Sequence, residues 1–130
     1  MGTEQNRKAV QLTYEAFGRC EMDVVFDALA DDVVWTNYSW EESPIRGVFY
    51  GKTGVQHFFG ALDSHVDIQK LDVTDIIAAE DKVVVLLDYQ STVKATGKGT
   101  AGTLVHVMTV TEGKIATWDG YEDAAENPWI

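Results

Sequence analysis

Thr103-Leu-Val-His-Val-Met-Thr-Val-Thr-Glu-Gly-Lys-Ile-Ala-Thr-Trp-Asp-Gly-Tyr-Glu-Asp123 reads as two strands joined at Glu112-Gly113, the first carrying a histidine on an otherwise apolar face. Side chains alternate along a strand, so Leu104, His106, Met108 and Val110 share one face while Val105, Val107 and Thr109 share the other. His106 therefore points into whatever Leu104 and Met108 line. The placement of that imidazole decides how the rest of the chain is read.

Upstream, two more segments read as strands, about residues 68–79 and 82–94, with turns at Glu80-Asp81 and Thr96-Gly-Lys-Gly99. Ahead of these the pattern is helical. Thr3 is placed to cap a helix running to about Arg19, in which Val10, Tyr14 and Phe17 form one apolar face and Gly18 is the stop. Asp23 would cap a short second helix carrying Val25, Phe26 and Leu29. The Ala30-Asp-Asp32 stretch would end it before a strand over Val33–Tyr38, on which Trp35 and Asn37 share a face. The segment from Ser39 to Gly51 reads as loop, with Val48-Phe-Tyr50 able to pair briefly. Thr53 and Gln56 suggest a capping box for a third helix with Val55, Phe58, Phe59 and Leu62 at helical spacing. Helices first and sheet second predict an α+β domain with a cavity where the two layers meet.

At 130 residues and 45% apolar content the chain suits a single domain with one core. The N-terminal residues lack a signal-peptide apolar stretch and no apolar run approaches a membrane span, so a soluble, cytoplasmic protein is expected. A net charge of −11 disfavours nucleic acid and anionic membrane surfaces as partners. Cys20, the sole cysteine, excludes an internal disulfide and reads as a small buried hydrophobe. His57, His65 and His106 have no metal-pair spacing, so neither metal nor cofactor is expected. Val83-Val-Val-Leu-Leu87 is apolar on both faces, which predicts that the outer face of the sheet is covered, most simply by a second copy of the chain.

The segments Leu29-Ala-Asp-Asp-Val-Val-Trp35, Gly51-Lys-Thr-Gly-Val-Gln-His-Phe-Phe59 and Glu112-Gly-Lys-Ile-Ala-Thr-Trp118, in this order, resemble the SnoaL-like, ketosteroid-isomerase-like branch of the NTF2-like superfamily. The resemblance implies a cone-shaped fold over residues 1–130, with three N-terminal helices packed on a curved antiparallel sheet around a deep pocket. Function is not implied by fold alone. Position by position, the ketosteroid-isomerase base falls on Asn37 and its second pocket acid on His106, while the catalytic tyrosine region falls near Thr13 and Tyr14. The first-strand tyrosine and asparagine of limonene-epoxide hydrolases fall on Trp35 and Asn37, and their arginine and two aspartates on Leu87, Tyr89 and Gly120. The histidine of SnoaL-type polyketide cyclases falls on His106, but their aspartate also falls on Gly120.

These matches imply a pocket for a small, mostly hydrophobic carbonyl or polyketide-like compound, isomerised or cyclised by proton transfer. His106 would carry the proton, with Asn37 and Tyr89 holding the developing enolate oxygen. Asp119 would substitute for the missing aspartate if a bulge at Gly120 turned it inward. Tyr14, Phe17, Trp35, Leu87, Met108 and Trp118 would line the site. Two blander readings stand beside this one. His106 would be a core histidine satisfied by Tyr89 or Asn37, and the protein a ligand binder without chemistry; the acidic pairs Glu41-Glu42 and Glu122-Asp123 read as solvated faces.

Overall fold

A computed structural model describes residues 2–130. The element order is α1 (Thr3–Gly18), α2 (Met22–Asp27), β1 (Leu29–Asn37), β2 (Gly47–Tyr50), α3 (Gly51–His65), β3 (Val66–Ala79), β4 (Lys82–Val93), β5 (Gly99–Thr111) and β6 (Lys114–Asp123). The strands form one sheet in the order β2-β1-β6-β5-β4-β3, and the helices lie over its inner face. The α+β class and the helices-then-sheet layout are as expected. The sheet is not wholly antiparallel, because β1 and β6 run parallel. That pairing brings Asn37 beside Gly120, which the sequence order alone does not reveal. Register shifts in β1, β3 and β6 bend the strands, as bulges do, and curve the sheet around its contents.

Several local expectations shift by a few residues. Thr3 is the first residue of α1 rather than its cap; Gly2 precedes it, its N–H held by the Gln5 side chain at 3.0 Å. Asp23 likewise lies inside α2, after Glu21, and Leu29 opens β1 instead of closing the helix. The expected capping box of α3 does not form. The helix starts two residues earlier than Thr53, where Gly51 takes φ 68 and so turns the chain directly out of β2. Cys20 is exposed, at φ 60 just past α1, and is not a buried hydrophobe. The Glu112-Gly113 turn has positive φ at both residues, the geometry that suits the twist of a two-residue hairpin.

The core gathers Val10 of α1, Val55 and Phe58 of α3, and the inward residues Leu29, Val33, Trp35, Val83, Val85, Leu87, Met108, Val110, Ile115 and Trp118. The inner and outer faces of β4 follow the expected alternation, with Val83, Val85 and Leu87 fully buried. Its outward residues Val84 and Leu86 lie against Val107 and Val105 across the β4–β5 pairing. Ile77 of β3, opposite Val84, is 55% exposed on that same apolar face, away from the helices.

Candidate functional site

The pairing of β1, β6, β5 and β4 sets side chains in transverse rows on the inner face. One row is Trp35, Trp118, Met108 and Val83, with Leu29, Ile115 and Val110 beyond it; the next toward the mouth is Asn37, Gly120, His106 and Val85; the one after contains Glu122, Leu104 and Leu87. Rows two residues apart are separated by roughly 7 Å along the strand. Over them lie Tyr14 and Phe17 of α1 and Phe58, Phe59 and Leu62 of α3, leaving an apolar cavity of about 170 Å³. An apolar cavity of ~150 Å³ accommodates benzene, so this one suits a molecule of one or two small rings.

The first row holds a stacked pair of indoles. Trp35 and Trp118 stack with ring centroids 4.0 Å apart and planes 7° from parallel. Both are 5% exposed. Trp118 folds over the bare backbone of Gly120: a Cβ there would lie 2.6 Å from the Trp118 Cζ3, closer still to Cη2, and 2.8 Å from Asn37 Oδ1. The indole occupies the space where a carboxylate-bearing side chain would start. The absence of an aspartate at this position and the posture of Trp118 are thus one structural fact.

His106 is tied to the helical layer. Tyr14 Oη lies 2.6 Å from His106 Nδ1, and Trp118 Nε1 donates to the same Tyr14 oxygen at 3.3 Å. An indole N–H can only donate, so the chain of bonds is satisfied when Tyr14 accepts from Trp118 and gives its own proton to Nδ1. The imidazole hydrogen then sits on Nε2, which has no protein partner among the described residues. Burial lowers the His106 pKa from 6.5 to about 3 and raises that of Tyr14. The ring is therefore neutral at ordinary pH and offers an N–H to the cavity it lines. Its partner is Tyr14, not Tyr89 or Asn37.

Asn37 also lines the cavity, with one amide N–H given to the Ile45 carbonyl at 2.9 Å. Tyr89 lies elsewhere. It pairs with Gly102, four residues along β5 from His106, which is roughly 13 Å at the strand rise. Its hydroxyl turns toward Thr100 and Glu122, so it does not share an oxygen with His106 as expected. Burial raises its pKa, and the charge of Glu122 adds to this. Leu87 is wholly enclosed in the core and is absent from the wall of this cavity, which on β4 begins at Tyr89. Asp119 is a further correction: no bulge forms at Gly120, the residue pairs with Thr36 and Val107 on the outer face, and it is absent from the cavity wall.

The carboxylate that does reach the cavity is Glu122. From Trp118 the inward face of β6 continues through Gly120 to Glu122, so strand alternation points to it once Trp118 is placed inward. Glu122 Oε2 accepts from Tyr89 at 3.2 Å and Oε1 from Ser39 at 3.1 Å. Among the described lining residues it is the only carboxylate and His106 the only basic side chain. Asn37, Ser39 and Glu122 also border an open polar cleft with Trp40 and Arg46, so they form the mouth. Pro128 and Trp129 close the wall nearby, in a terminal segment fastened by Thr96 Oγ1 to the Pro128 carbonyl at 2.6 Å and by Lys98 to the Ile130 carbonyl. This segment had no sequence signal beyond its one tryptophan.

Among the described residues no group of three His, Cys, Asp or Glu side chains is arranged to hold a metal, and no helix is long and apolar enough to cross a membrane. Residues 10–118 match the model of the SnoaL-like domain family. In sequence, no curated protein matches significantly. In structure, the chain is similar to an NTF2-like protein of unknown function from Burkholderia pseudomallei (27% identity, TM-score 0.80, covering 95% of this chain and 92% of that one). It is also similar to TerC co-crystallised with polyporic acid (20% identity, TM-score 0.80, 92% of each chain). A putative SnoaL-like polyketide cyclase from Mesorhizobium loti is a third (20% identity, TM-score 0.76, covering 93% of this chain and 99% of that one).

Proposed function

We propose, for a chain that belongs to the SnoaL-like domain family, that the cavity binds a small, flat, mostly apolar carbonyl compound and places its oxygen on His106 Nε2. The observation that carries this reading is the buried chain from Trp118 through Tyr14 to His106. It fixes one tautomer and presents a neutral N–H donor in an apolar, enclosed space, where a carbonyl oxygen would gain most from it. The Trp35–Trp118 pair suits a ring face. Asn37, across Gly120 from His106, supplies a second polar group to the same row. Such an arrangement stabilises an enolate more than its parent ketone, because charge grows on the oxygen, and so supports isomerisation or cyclisation next to a carbonyl.

The rival reading, binding without chemistry, is supported by Gly120, where the related enzymes place a carboxylate. Binding itself is tested by titrating the protein with 2-tetralone and 1,4-naphthoquinone while following tryptophan emission, which Trp35 and Trp118 report from the cavity wall. Saturable one-to-one binding, weakened about tenfold or more in His106→Phe, is the expected result. No saturable binding of either compound at millimolar concentration would sink the proposal. A second copy of the chain on the apolar outer face of β3, β4 and β5 completes the proposed assembly.

A further inference from the structure

The missing carboxylate at Gly120 has a counterpart one row nearer the mouth. We propose that Glu122 is the proton-transfer group of this site, taking a proton from carbon next to, or conjugated with, a carbonyl held by His106. The inference rests on the carbonyl-binding reading above and names what that reading leaves open, the base and the shape of the substrate.

Three features carry it. Glu122 lies on the inner face of β6 diagonal to His106, whose direct partner is Gly120. Diagonal neighbours across antiparallel strands are roughly 7–8 Å apart, so the two residues flank the bare glycine backbone at that backbone spacing. Next, Glu122 is the only carboxylate among the described residues of an otherwise apolar wall. Last, Tyr89 and Ser39 each donate to one of its oxygens, which holds the carboxylate in one orientation. Tyr89 and Ser39 are positioning residues in this scheme.

The step balances without any co-reactant. Glu122 takes the proton as the C–H bond breaks; that electron pair forms a carbon–carbon double bond and the carbonyl π pair moves to oxygen, where His106 Nε2–H meets it. Return of the same proton from the Glu122 carboxylic acid to a different carbon of the conjugated system completes an isomerisation and restores the carboxylate. Alternatively the enolate carbon closes a ring onto a second carbonyl of the molecule and the proton goes to the new alkoxide. The substrate class follows from the geometry: a one- or two-ring carbonyl compound, uncharged or with its polar end at the mouth, whose acidic C–H lies on the side of the ring facing Glu122. An anionic group at that end would meet the carboxylate and a net charge of −11.

The test follows exchange of the α-protons of 2-tetralone for deuterium in D₂O by NMR, with binding monitored in parallel by tryptophan emission. The wild-type protein is expected to exchange them well above the buffer rate, and Glu122→Gln to lose that excess by roughly a hundredfold or more, the usual contribution of a placed general base, while still binding the ketone. Ser39→Ala and Tyr89→Phe should slow exchange at saturating ketone more than they weaken ketone binding, and Ser39→Thr should restore the rate, a split that a purely structural role would not produce. Binding of 2-tetralone without exchange above buffer, or a Glu122→Gln rate within twofold of wild type, overturns the inference and leaves carbonyl binding standing. Failure of wild-type protein to bind the ketone removes both.

Discussion

Replacing Gly120 by alanine adds one methyl group, and the structure assigns that change a sign opposite to the ordinary one. In a strand interior alanine is normally better than glycine by roughly 0.5–1 kcal/mol, because glycine loses more backbone freedom on folding. At Gly120 the new Cβ would sit 2.6 Å from Trp118 Cζ3, closer still to Cη2, and 2.8 Å from Asn37 Oδ1, whereas unstrained carbon contacts lie near 3.5–4.0 Å. Trp118 must therefore move by about an ångström. It cannot do so freely, since it is stacked on Trp35 and bonded to Tyr14. Overpacking of this kind costs about 1–3 kcal/mol, and loss of the indole bond adds roughly 1 kcal/mol. Set against the backbone gain, the net destabilisation is roughly 1–3 kcal/mol. With a urea m-value of about 2 kcal/mol per molar, the midpoint falls by roughly 0.5–1.5 M. Far-UV circular dichroism is the appropriate probe, because the tryptophans themselves are disturbed. In a Trp118→Leu background the same Gly120→Ala change should cost little or become stabilising, a coupling that a double-mutant cycle isolates. An unchanged or raised midpoint for Gly120→Ala in the wild-type background would refute the claim that this glycine exists to seat the indole.

Three further predictions follow from the same interior. His106 has a folded pKa of about 3 against 6.5 unfolded, so between those values the unfolded chain binds the extra proton and stability falls as pH falls. The slope contributed approaches about 1.4 kcal/mol per pH unit; denaturation midpoints across this range should show it in the wild type and show a shallower slope in His106→Gln. Tyr14→Phe leaves the Trp118 N–H and His106 Nδ1 without partners, costing roughly 1–3 kcal/mol in urea unfolding and weakening 2-tetralone binding, because the tautomer is no longer imposed. For the proposed pairing through the outer face, light scattering should give twice 14.4 kDa at micromolar concentration, and Val84→Lys with Val107→Lys should return the single-chain mass. A single-chain mass for the wild type would remove the pairing from the description.

The inner and outer faces of β5 were legible from alternation alone, which is why His106, Met108 and Leu104 fall where the sequence places them. In β6 a bulge near Ala116 puts Ile115 and Trp118 on the same face, so alternation is legible only from Trp118 onward. Its continuation to Glu122 was obscured by chemistry rather than by geometry: an acidic pair near a strand end is usually solvated, and nothing local signals that Tyr89 and Ser39 converge on one of its members. Asp119 failed for the complementary reason, since its inward turn required a bulge at Gly120 and the irregularities in this hairpin fall nearer its turn. The Tyr14–His106 bond joins residues far apart in the chain and depends on how α1 lies over the sheet. Local periodicity places each residue on a face, but not one face against another. The capping motifs at Thr3, Asp23 and Thr53 were likewise overridden: two helices begin one residue before the expected cap or at it, and α3 is started by the turn at Gly51.

The segment bearing Pro128 and Trp129 contributes wall to the cavity and is held by the burial of Pro128 and by a few side-chain hydrogen bonds from Thr96, Lys98 and Asn127. Each such bond is worth about 1 kcal/mol net, far less than the packing that holds the strands. Peeling of this segment would therefore open a second way out of the cavity besides the mouth at Asn37, Ser39 and Glu122. Thr96→Val would shorten the residence time of a bound ketone more than it alters the rate of capture, and stopped-flow displacement would separate the two.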